Sequence, residues 1–258
     1  TDSNKTTMSR TTPGISTSGS YREPDLVVEN EGTTVDAKDY KTILGETGTK
    51  EQLAQLFVDE YKAMIESVSK YGGFYIGRYE LSESGVKKDQ PTLTKTNWYD
   101  LYQKCKILNA SNKVEARMIW GCQWDATMNW LISSGAKTSD EVNKDSSSWG
   151  NYYSTSVKAE DGTTEIKASK KTEKLNTGVT TFTMANNIYD LAGNVSEWTQ
   201  EAYSTYSRAK RGGVFNADGS AFPASDRGNY SPGGSGYVNL RFSSHFNNKV
   251  IKSVRNFV

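Results

Sequence analysis

Residues 186–198 read Asn-Asn-Ile-Tyr-Asp-Leu-Ala-Gly-Asn-Val-Ser-Glu-Trp, and this stretch decides the fold that we expect. Asp190, Asn194 and Glu197 supply side-chain oxygens within eight residues. Gly193 permits a positive-φ backbone that turns carbonyl groups inward, and the final tryptophan is a large apolar anchor. Two interpretations stay open. The stretch is either a hydrogen-bonded turn held by a buried tryptophan, or a site for a hard cation such as Ca²⁺, which binds carboxylate and carbonyl oxygens.

The Tyr-Asp-Leu-Ala-Gly-Asn-Val-Ser-Glu-Trp part of this stretch resembles the D-M-A-G-N-V-W-E-W signature of the formylglycine-generating, sulfatase-modifying enzyme family. Further matches in the family's order lie at 72–80, 98–105, 116–130, 211–213 and 240–242, so that the resemblance covers roughly residues 70–245. It implies an α+β protein with a C-type lectin-like fold of the formylglycine-generating enzyme type, with short twisted strands and two or three helices.

The same resemblance implies a calcium site at the central turn. Matched position by position to the family, Asp190 and Glu197 provide carboxylates, whereas Gly193 and Val195 provide backbone carbonyl oxygens. Ca²⁺ prefers oxygen ligands of both kinds. Ca²⁺ is therefore expected as a structural cofactor, with the plain hydrogen-bonded turn as the alternative.

The composition excludes several kinds of partner. The formal net charge of the 258 residues is +1, so nothing indicates a nucleic-acid partner. No apolar run approaches the roughly 20 residues that span a bilayer, so no membrane insertion is expected, and no signal peptide is recognisable. Cys105 and Cys122 are expected to be buried free thiols, with a disulfide as the alternative.

Apolar periodicity predicts the helices. The pattern indicates helices at 49–70, 97–108 and about 121–132, the first with a Thr49–Gln52 capping box. A strand is expected at 74–80. The polar region 133–180 is expected to be anchored by aromatic residues such as Trp149, Tyr152 and Tyr153, and its lysine run at 167–174 to be a solvated loop.

The domain boundaries follow from composition. Residues 1–24 contain few apolar side chains and are predicted to be a flexible linker or tail. Residues 25–258 are predicted to form the C-type lectin-like domain.

The resemblance raises the question of catalysis, and the residues argue against it. Formylglycine-generating enzymes use a late pair of cysteines to hold copper, whereas this chain has no cysteine after Cys122. Related iron-dependent enzymes need several histidines, and this chain has only His245. We therefore expect no copper or iron and no enzymatic activity. The alternative is a degenerate or non-copper relative of these enzymes.

The segment 211–242 resembles a second group with the same fold, the variable proteins of diversity-generating retroelements, in which adenine-directed mutagenesis randomises a late part of the domain. Residues 212–239 contain no Lys, Glu, Gln, Met or Trp. This absence is expected if the codons of the segment end in a pyrimidine, because such codons encode none of these five residues. The alternative is that loops rich in Gly, Ser and Asn lack long side chains for other reasons.

These features predict a hypervariable surface that binds a macromolecular target, either a cell-surface protein or a glycan. Tyr and Phe would supply contact area, and Ser, Gly and Asn adaptable hydrogen bonds. A phage virion or a bacterial cell surface is the expected location. Arg211, Pro223, Asp226, Arg227 and Arg241 are expected to belong to the scaffold, and Gly212 and Gly213 are expected to set backbone turns. The residues expected to be exposed on one surface and to contact the ligand are Val214, Asn216, Asp218, Phe222, Asn229, Tyr230, Ser231, Ser235, Tyr237 and Asn239.

Overall fold

A computed structural model describes residues 43–45, 47–108, 114–204, 207–234 and 236–246. In these residues the chain is a mixed α+β protein. The predicted tail at 1–24 and the first residues of the predicted domain lie outside the described part. The helices include α1 (Lys50–Tyr71), α2 (Trp98–Ile107), α3 (Gly121–Ser133) and the short α4 (Ser139–Asn143).

Helix α1 begins and ends as the sequence predicts. The Thr49 hydroxyl accepts from Gln52 N at 3.3 Å, and the Gln52 side chain accepts from Thr49 N at 3.0 Å, which completes the capping box. Gly72 ends the helix with φ +82°. Leu53 and Phe57 pack in the same core cluster as residues of α2, so α1 is an integral part of the domain.

Helices α2 and α3 also confirm the apolar pattern. Trp98 of α2 is fully buried, stacks on Tyr102 and meets Phe57 edge-on. Helix α3 buries Trp124, Met128 and Leu131, which lie in a second core cluster. The edge-on and stacked rings follow the usual preference of aromatic pairs.

Two sheets form the centre of the domain. The first has the order β1-β11-β2, with antiparallel pairs throughout. The second has the order β10-β7-β8-β9, in which β10 is parallel to β7 and the other pairs are antiparallel. The strands of these sheets are β1 (Tyr75–Ile76), β2 (Val114–Met118), β7 (Ser196–Ser204), β8 (Ser207–Arg211), β9 (Arg227–Tyr230), β10 (Val238–Leu240) and β11 (Phe242–Phe246).

The second sheet determines the course of the segment that was predicted to vary. Strands β9 and β10 lie at opposite edges of this sheet, so residues 231–237 must cross from one edge to the other. On the way, the Pro232 carbonyl accepts from Trp98 N at 2.9 Å, and the Gly236 carbonyl accepts from Lys95 N at 3.0 Å. The crossing segment is thus tied to the start of α2.

The region 133–180 is more structured than expected. It contains α4 and the hairpin of β3 (Val157–Lys158) and β4 (Glu165–Lys167), and it is followed by a 3₁₀ turn at Thr181–Thr183 and the hairpin of β5 (Met184–Ala185) and β6 (Ile188–Tyr189). Trp149 and Tyr152 are buried anchors, as expected, whereas Tyr153 is exposed.

The prediction of a solvated lysine run is wrong for Lys167. Its side chain is buried, and its ammonium group donates to the carbonyl oxygens of Tyr152 at 2.7 Å and Thr155 at 2.8 Å. Lys174 is half-buried and donates to the Thr92 carbonyl at 2.6 Å. Carbonyl groups of distant turns replace water around these charges, and no local pattern in the sequence encodes that.

Three smaller points complete the fold. The predicted strand at 74–80 is reduced to Tyr75–Ile76. Beyond it the Gly77 carbonyl accepts from Arg241 Nη1 at 2.8 Å instead of from a neighbouring strand. Cys105 and Cys122 form no disulfide, as expected; Cys105 is buried, whereas Cys122 is only half-buried, so the expectation of burial is wrong for Cys122. Among the described residues, no helix combines the length and the apolar character that a bilayer crossing needs.

Candidate binding surface

The central turn is a dense network of buried hydrogen bonds. Asp190 Oδ2 accepts from Gly178 N at 2.7 Å and from the Thr177 hydroxyl at 3.1 Å, while Oδ1 accepts from the Thr183 hydroxyl at 2.7 Å. Burial raises the pKa of the Asp190 carboxyl, and these donors oppose that shift. The predicted acceptor at this position therefore serves a protein turn.

Asn194 connects the turn to three other parts of the chain. Its Oδ1 accepts from Asn151 Nδ2 and from Leu175 N, both at 3.0 Å, and its Nδ2 donates to Glu80 Oε2 at 2.7 Å. Burial, followed by the nearby Asp190 and Glu197 carboxylates, raises the pKa of Glu80. A strongly polar centre thus lies within the apolar core.

Glu197 forms the ionic part of this centre. Its Oε1 accepts from Arg241 Nη2 at 2.8 Å, and both side chains are fully buried. Burial raises the pKa of Glu197, and the neighbouring Arg241 guanidinium opposes that shift. Arg241 also donates to the carbonyl oxygens of Gly77 and Tyr189, both at 2.8 Å. The arginine therefore fixes three segments at once.

The calcium prediction can be compared with this geometry. Both oxygens of Asp190 are held by protein donors, and Glu197 is held by Arg241 through Oε1, while its Oε2 has no hydrogen-bond partner among the described residues. Within the described part of the chain, no group of three or more His, Cys, Asp or Glu is placed to hold a metal ion. These contacts account for a hydrogen-bonded turn, and the predicted cation site at Asp190, Gly193, Val195 and Glu197 is a separate question that they do not decide. Calcium binding itself stays a prediction.

The central turn directly holds the start of the segment 211–242. Gly193 N donates to the Gly212 carbonyl at 2.6 Å, and the Asn194 carbonyl accepts from Phe215 N at 2.9 Å. The Ser196 hydroxyl donates to the Gly213 carbonyl at 2.8 Å. The motif that decides the fold is therefore also the support of the predicted variable segment.

Gly212 and Gly213 make this support possible. Their φ angles are +92° and +76°. A Cβ atom on Gly213 would lie 2.3 Å from the Phe222 carbonyl oxygen, and one on Gly212 would lie 2.5 Å from Glu197 Oε2. Both the backbone conformation and the available space require glycine here, which confirms that these two residues set turns.

The strands beneath the segment are joined by buried charges. Arg227 Nη2 lies 2.7 Å from Glu201 Oε1, and Arg211 Nη2 lies 3.3 Å from Glu201 Oε2. Arg211 Nη1 also lies 3.2 Å from Asp125 Oδ1. The expected scaffold role of Arg211 and Arg227 is confirmed by their burial, as is that of Arg241.

Exposure of the predicted ligand-contacting residues is mostly confirmed. Phe222, Tyr230 and Tyr237 expose 41%, 43% and 46% of their surface. Val214 is half-buried, and Ser235 lies outside the described residues. Seven of the ten are exposed, and we call these seven the display face: Asn216, Asp218, Phe222, Asn229, Tyr230, Ser231 and Tyr237. That they form one continuous surface stays a prediction.

Asn239 was predicted to be exposed, and this prediction is wrong. The residue is fully buried, and its Nδ2 donates to the Leu81 carbonyl at 2.8 Å. Asn239 lies in β10 and pairs with Glu197 of β7, so it belongs to the edge of the sheet. The polar side chain can be buried at this position because it supplies the hydrogen bond that the buried Leu81 carbonyl needs.

The two loops of the display face are connected by ring contacts. Phe215 meets Tyr237 edge-on at a centroid distance of 4.9 Å, which joins the loop of Asn216 to the crossing segment 231–237. Tyr230 lies over Trp198 at 6.1 Å. The exposed rings of Tyr230 and Tyr237 therefore each contact a buried aromatic side chain.

Sequence reasoning missed the segment 145–155, which packs beside the display face. Ser146 N donates to the Gly219 carbonyl at 3.2 Å, and Tyr153 N donates to the Ala217 carbonyl at 2.9 Å. Tyr153 exposes 38% of its surface. The doubled Tyr152-Tyr153 was visible in the sequence, but it does not reveal which ring faces solvent.

No protein-family model matches this chain, and no curated protein matches it. Solved structures do. Treponema denticola variable protein 1 shares 18% identity over 60% of this chain and 71% of that chain, with a TM-score of 0.37. The chain is similar to a variable protein. This is one of the two groups that the sequence motifs resemble.

Two further structures are similar. CarF shares 14% identity over 73% of this chain and 83% of that chain, with a TM-score of 0.40. PvdO from Pseudomonas aeruginosa shares 15% identity over 73% of this chain and 76% of that chain, with a TM-score of 0.38.

Proposed function

We propose that this chain is a non-enzymatic binding protein that displays a hypervariable surface on a C-type lectin-like scaffold. The ligand is a macromolecule at a cell surface, either a protein or a glycan, and the chain itself is carried by a phage virion or a bacterial cell surface. The variable protein of a diversity-generating retroelement is the form of this function that we favour.

One contrast between neighbouring residues supports the proposal. The exposed Phe222 is followed along the chain by the buried Ala224 and Arg227, and the exposed Asn229 and Tyr230 come soon after these buried residues. Side chains that face solvent can change with little effect on packing, whereas the buried ones hold the sheet. This separation of changeable from fixed positions is what a display scaffold needs.

The chemistry of the cysteines supports the non-enzymatic interpretation. The thiolate, not the thiol, is the nucleophile and the soft-metal ligand. Cys105 is fully buried, and that burial raises its pKa well above the usual value. Its thiol is therefore poorly suited to the sulfur chemistry that the resemblance to the formylglycine-generating enzymes would suggest.

A library experiment tests the proposal. All seven positions of the display face are randomised in the full chain, and the variants are sorted for cooperative folding and for binding to hen lysozyme as an arbitrary protein probe. We expect most variants to fold and some to bind lysozyme. A control library randomised at the buried Arg211, Arg227 and Arg241 should consist mostly of unfolded protein. A display-face library that is mostly unfolded contradicts the proposal.

The coding DNA gives a second, independent test. A near-repeat of the 3′ end that differs mainly at adenines, beside a reverse-transcriptase gene, is expected for a retroelement. A sequenced locus without both features would reject the retroelement, although a fixed binding protein would remain.

A further inference from the structure

The segment 145–155 is built into the loop that carries three of the seven display-face residues, Asn216, Asp218 and Phe222. The Ser146 hydroxyl accepts from Ala224 N at 2.9 Å, and Ser146 N donates to the Gly219 carbonyl at 3.2 Å. A Cβ atom on Gly219 would lie 2.6 Å from Ser147 N, so the two backbones are in close contact. The two segments therefore form one surface unit.

Tyr152 and Tyr153 contribute to this unit in opposite directions. The buried Tyr152 hydroxyl donates to the Phe222 carbonyl at 2.9 Å and lies 3.3 Å from the Gly212 carbonyl. Tyr153 N donates to the carbonyl of Ala217, the residue between the exposed Asn216 and Asp218, while its ring reaches solvent. The Tyr152 ring supports the loop from the protein interior, and the Tyr153 ring lies beside the same loop at the surface.

The turn that carries Tyr153 is firmly held. The buried Lys167 ammonium group donates to the carbonyls of Tyr152 and Thr155, on either side of the turn. Lys170 N donates to the Tyr153 carbonyl itself at 2.7 Å. A side chain on a fixed backbone loses little conformational entropy when it binds, which favours affinity.

We propose that Tyr153 is an invariant contact residue of the display face and that the partner is a folded protein. The proposal rests on the proposed function and extends its surface beyond the segment 211–242. Tyr153 lies outside that segment, so it supplies the same ring to every variant while the seven display positions supply specificity.

The choice of a protein partner follows from the combined surface. With Tyr153 included, four half-exposed rings lie among small polar side chains. Protein-binding loops have this composition, because rigid rings give contact area at low entropic cost and dominate hot spots.

Lysozyme binders selected from the display-face library provide the test. In several independent binders, Tyr153→Ser should raise the lysozyme Kd by about 10-fold or more, the range of interface hot spots. Tyr153→Phe should keep most of the affinity, because the ring supplies the contact. Tyr75→Ser, at another exposed tyrosine outside this surface, is the matched control and should leave Kd unchanged.

Thermal unfolding of the same variants separates binding from folding. Tyr153→Ser keeps the backbone N–H that bonds Ala217, so its Tm should stay close to that of the parent. A Tm that falls as steeply as the affinity, or a Kd that changes less than twofold in most binders, overturns the role of Tyr153 and leaves the proposed function standing. A library without folded binders overturns both.

A glycan array probed with the parent chain tests the partner class. No glycan is expected to bind in a way that depends on Tyr153. A glycan signal that disappears with Tyr153→Ser would overturn the assignment to a protein partner. The assignment of Tyr153 to the binding surface would then stand.

Discussion

Arg241 Nη2 lies 2.8 Å from Glu197 Oε1, with both side chains fully buried. This ion pair joins the central motif to the closing Leu-Arg-Phe of the segment 211–242, 44 residues apart in the chain. Glu197 Oε2 has no hydrogen-bond partner among the described residues, and it lies against Gly212. The support of the display face therefore depends on a fully buried pair of charged side chains.

Replacing Arg241 by Met should destabilise the protein strongly. Removal of one partner from a buried ion pair costs about 3–5 kcal/mol, because the other charge stays buried alone. Adding Glu197→Gln should recover part of the loss, since the glutamine carries no charge. Chemical denaturation of the two single variants and the double variant measures the coupling. Additive losses would show that the pair does not act as a unit.

Gly213→Ala should be far more harmful than Gly162→Ala. The two glycines have similar φ angles of +76° and +72°, but a Cβ on Gly213 meets the Phe222 carbonyl oxygen at 2.3 Å whereas Gly162 has open space. The shared φ strain costs about 1–2 kcal/mol in each variant. We expect Gly213→Ala to lose at least about 2 kcal/mol more by urea denaturation, from the backbone clash. Equal losses would mean that the loop moves aside.

The double substitution Tyr230→Ser with Tyr237→Ser should abolish target binding and lower stability only slightly. Both rings are more than two-fifths exposed, so we expect a loss below about 2 kcal/mol from their partial burial on Trp198 and Phe215. Phe215→Ser, at a buried ring of the same surface, is the control and should cost about 3 kcal/mol or more. Thermal unfolding compares them. An unfolded double variant would show that the two tyrosines are core residues.

Asp190→Ala tests whether the central turn needs calcium. Three protein donors lose their acceptor, so we expect a loss of about 3 kcal/mol or more even in EDTA. The predicted calcium site requires a parent Tm that is higher in calcium buffer than in EDTA, and this difference should disappear in Asp190→Ala. A parent Tm that is the same in both buffers would contradict the calcium prediction.

Asp125→Asn should change the pH dependence of stability. Burial raises the pKa of Asp125 from 3.8 to about 7, with Arg211 opposing the shift and Glu201 adding to it. The folded state thus holds a proton that the unfolded state releases near pH 4. The stabilisation that this proton gives the folded state is fully present below about pH 4. It falls as pH rises towards 7 and is lost at higher pH. The total loss in the free energy of unfolding is up to about 4 kcal/mol.

The amide removes this titration. The stability of Asp125→Asn relative to the parent should therefore increase between pH 4 and pH 8. The exposed Asp218→Asn is the control. Denaturation at a series of pH values measures both, and a difference that stays constant with pH would contradict the expected protonation of Asp125.

Local features of the sequence determined the helices. The start of α1 is encoded by Thr49 and Gln52, and its end by Gly72, because caps act over three or four residues. The apolar stripes of α2 and α3 were equally readable, since the helical period brings their apolar residues to one face. The Gly212-Gly213 turn was readable too, because only glycine enters that backbone region at no cost.

Only the tertiary structure decided which polar side chains are buried. Lys167 in a lysine run and Asn239 in a loop-like segment look like surface residues, yet both are buried and donate to carbonyl groups of other segments. Tyr152 and Tyr153 are neighbours of the same type, and only one of them reaches solvent. Burial depends on partners that lie far away in the chain, whereas a sequence pattern reports on the few residues beside it. The motif at 186–198 therefore determined the kind of fold, and the packing of distant turns determined the surface that the fold displays.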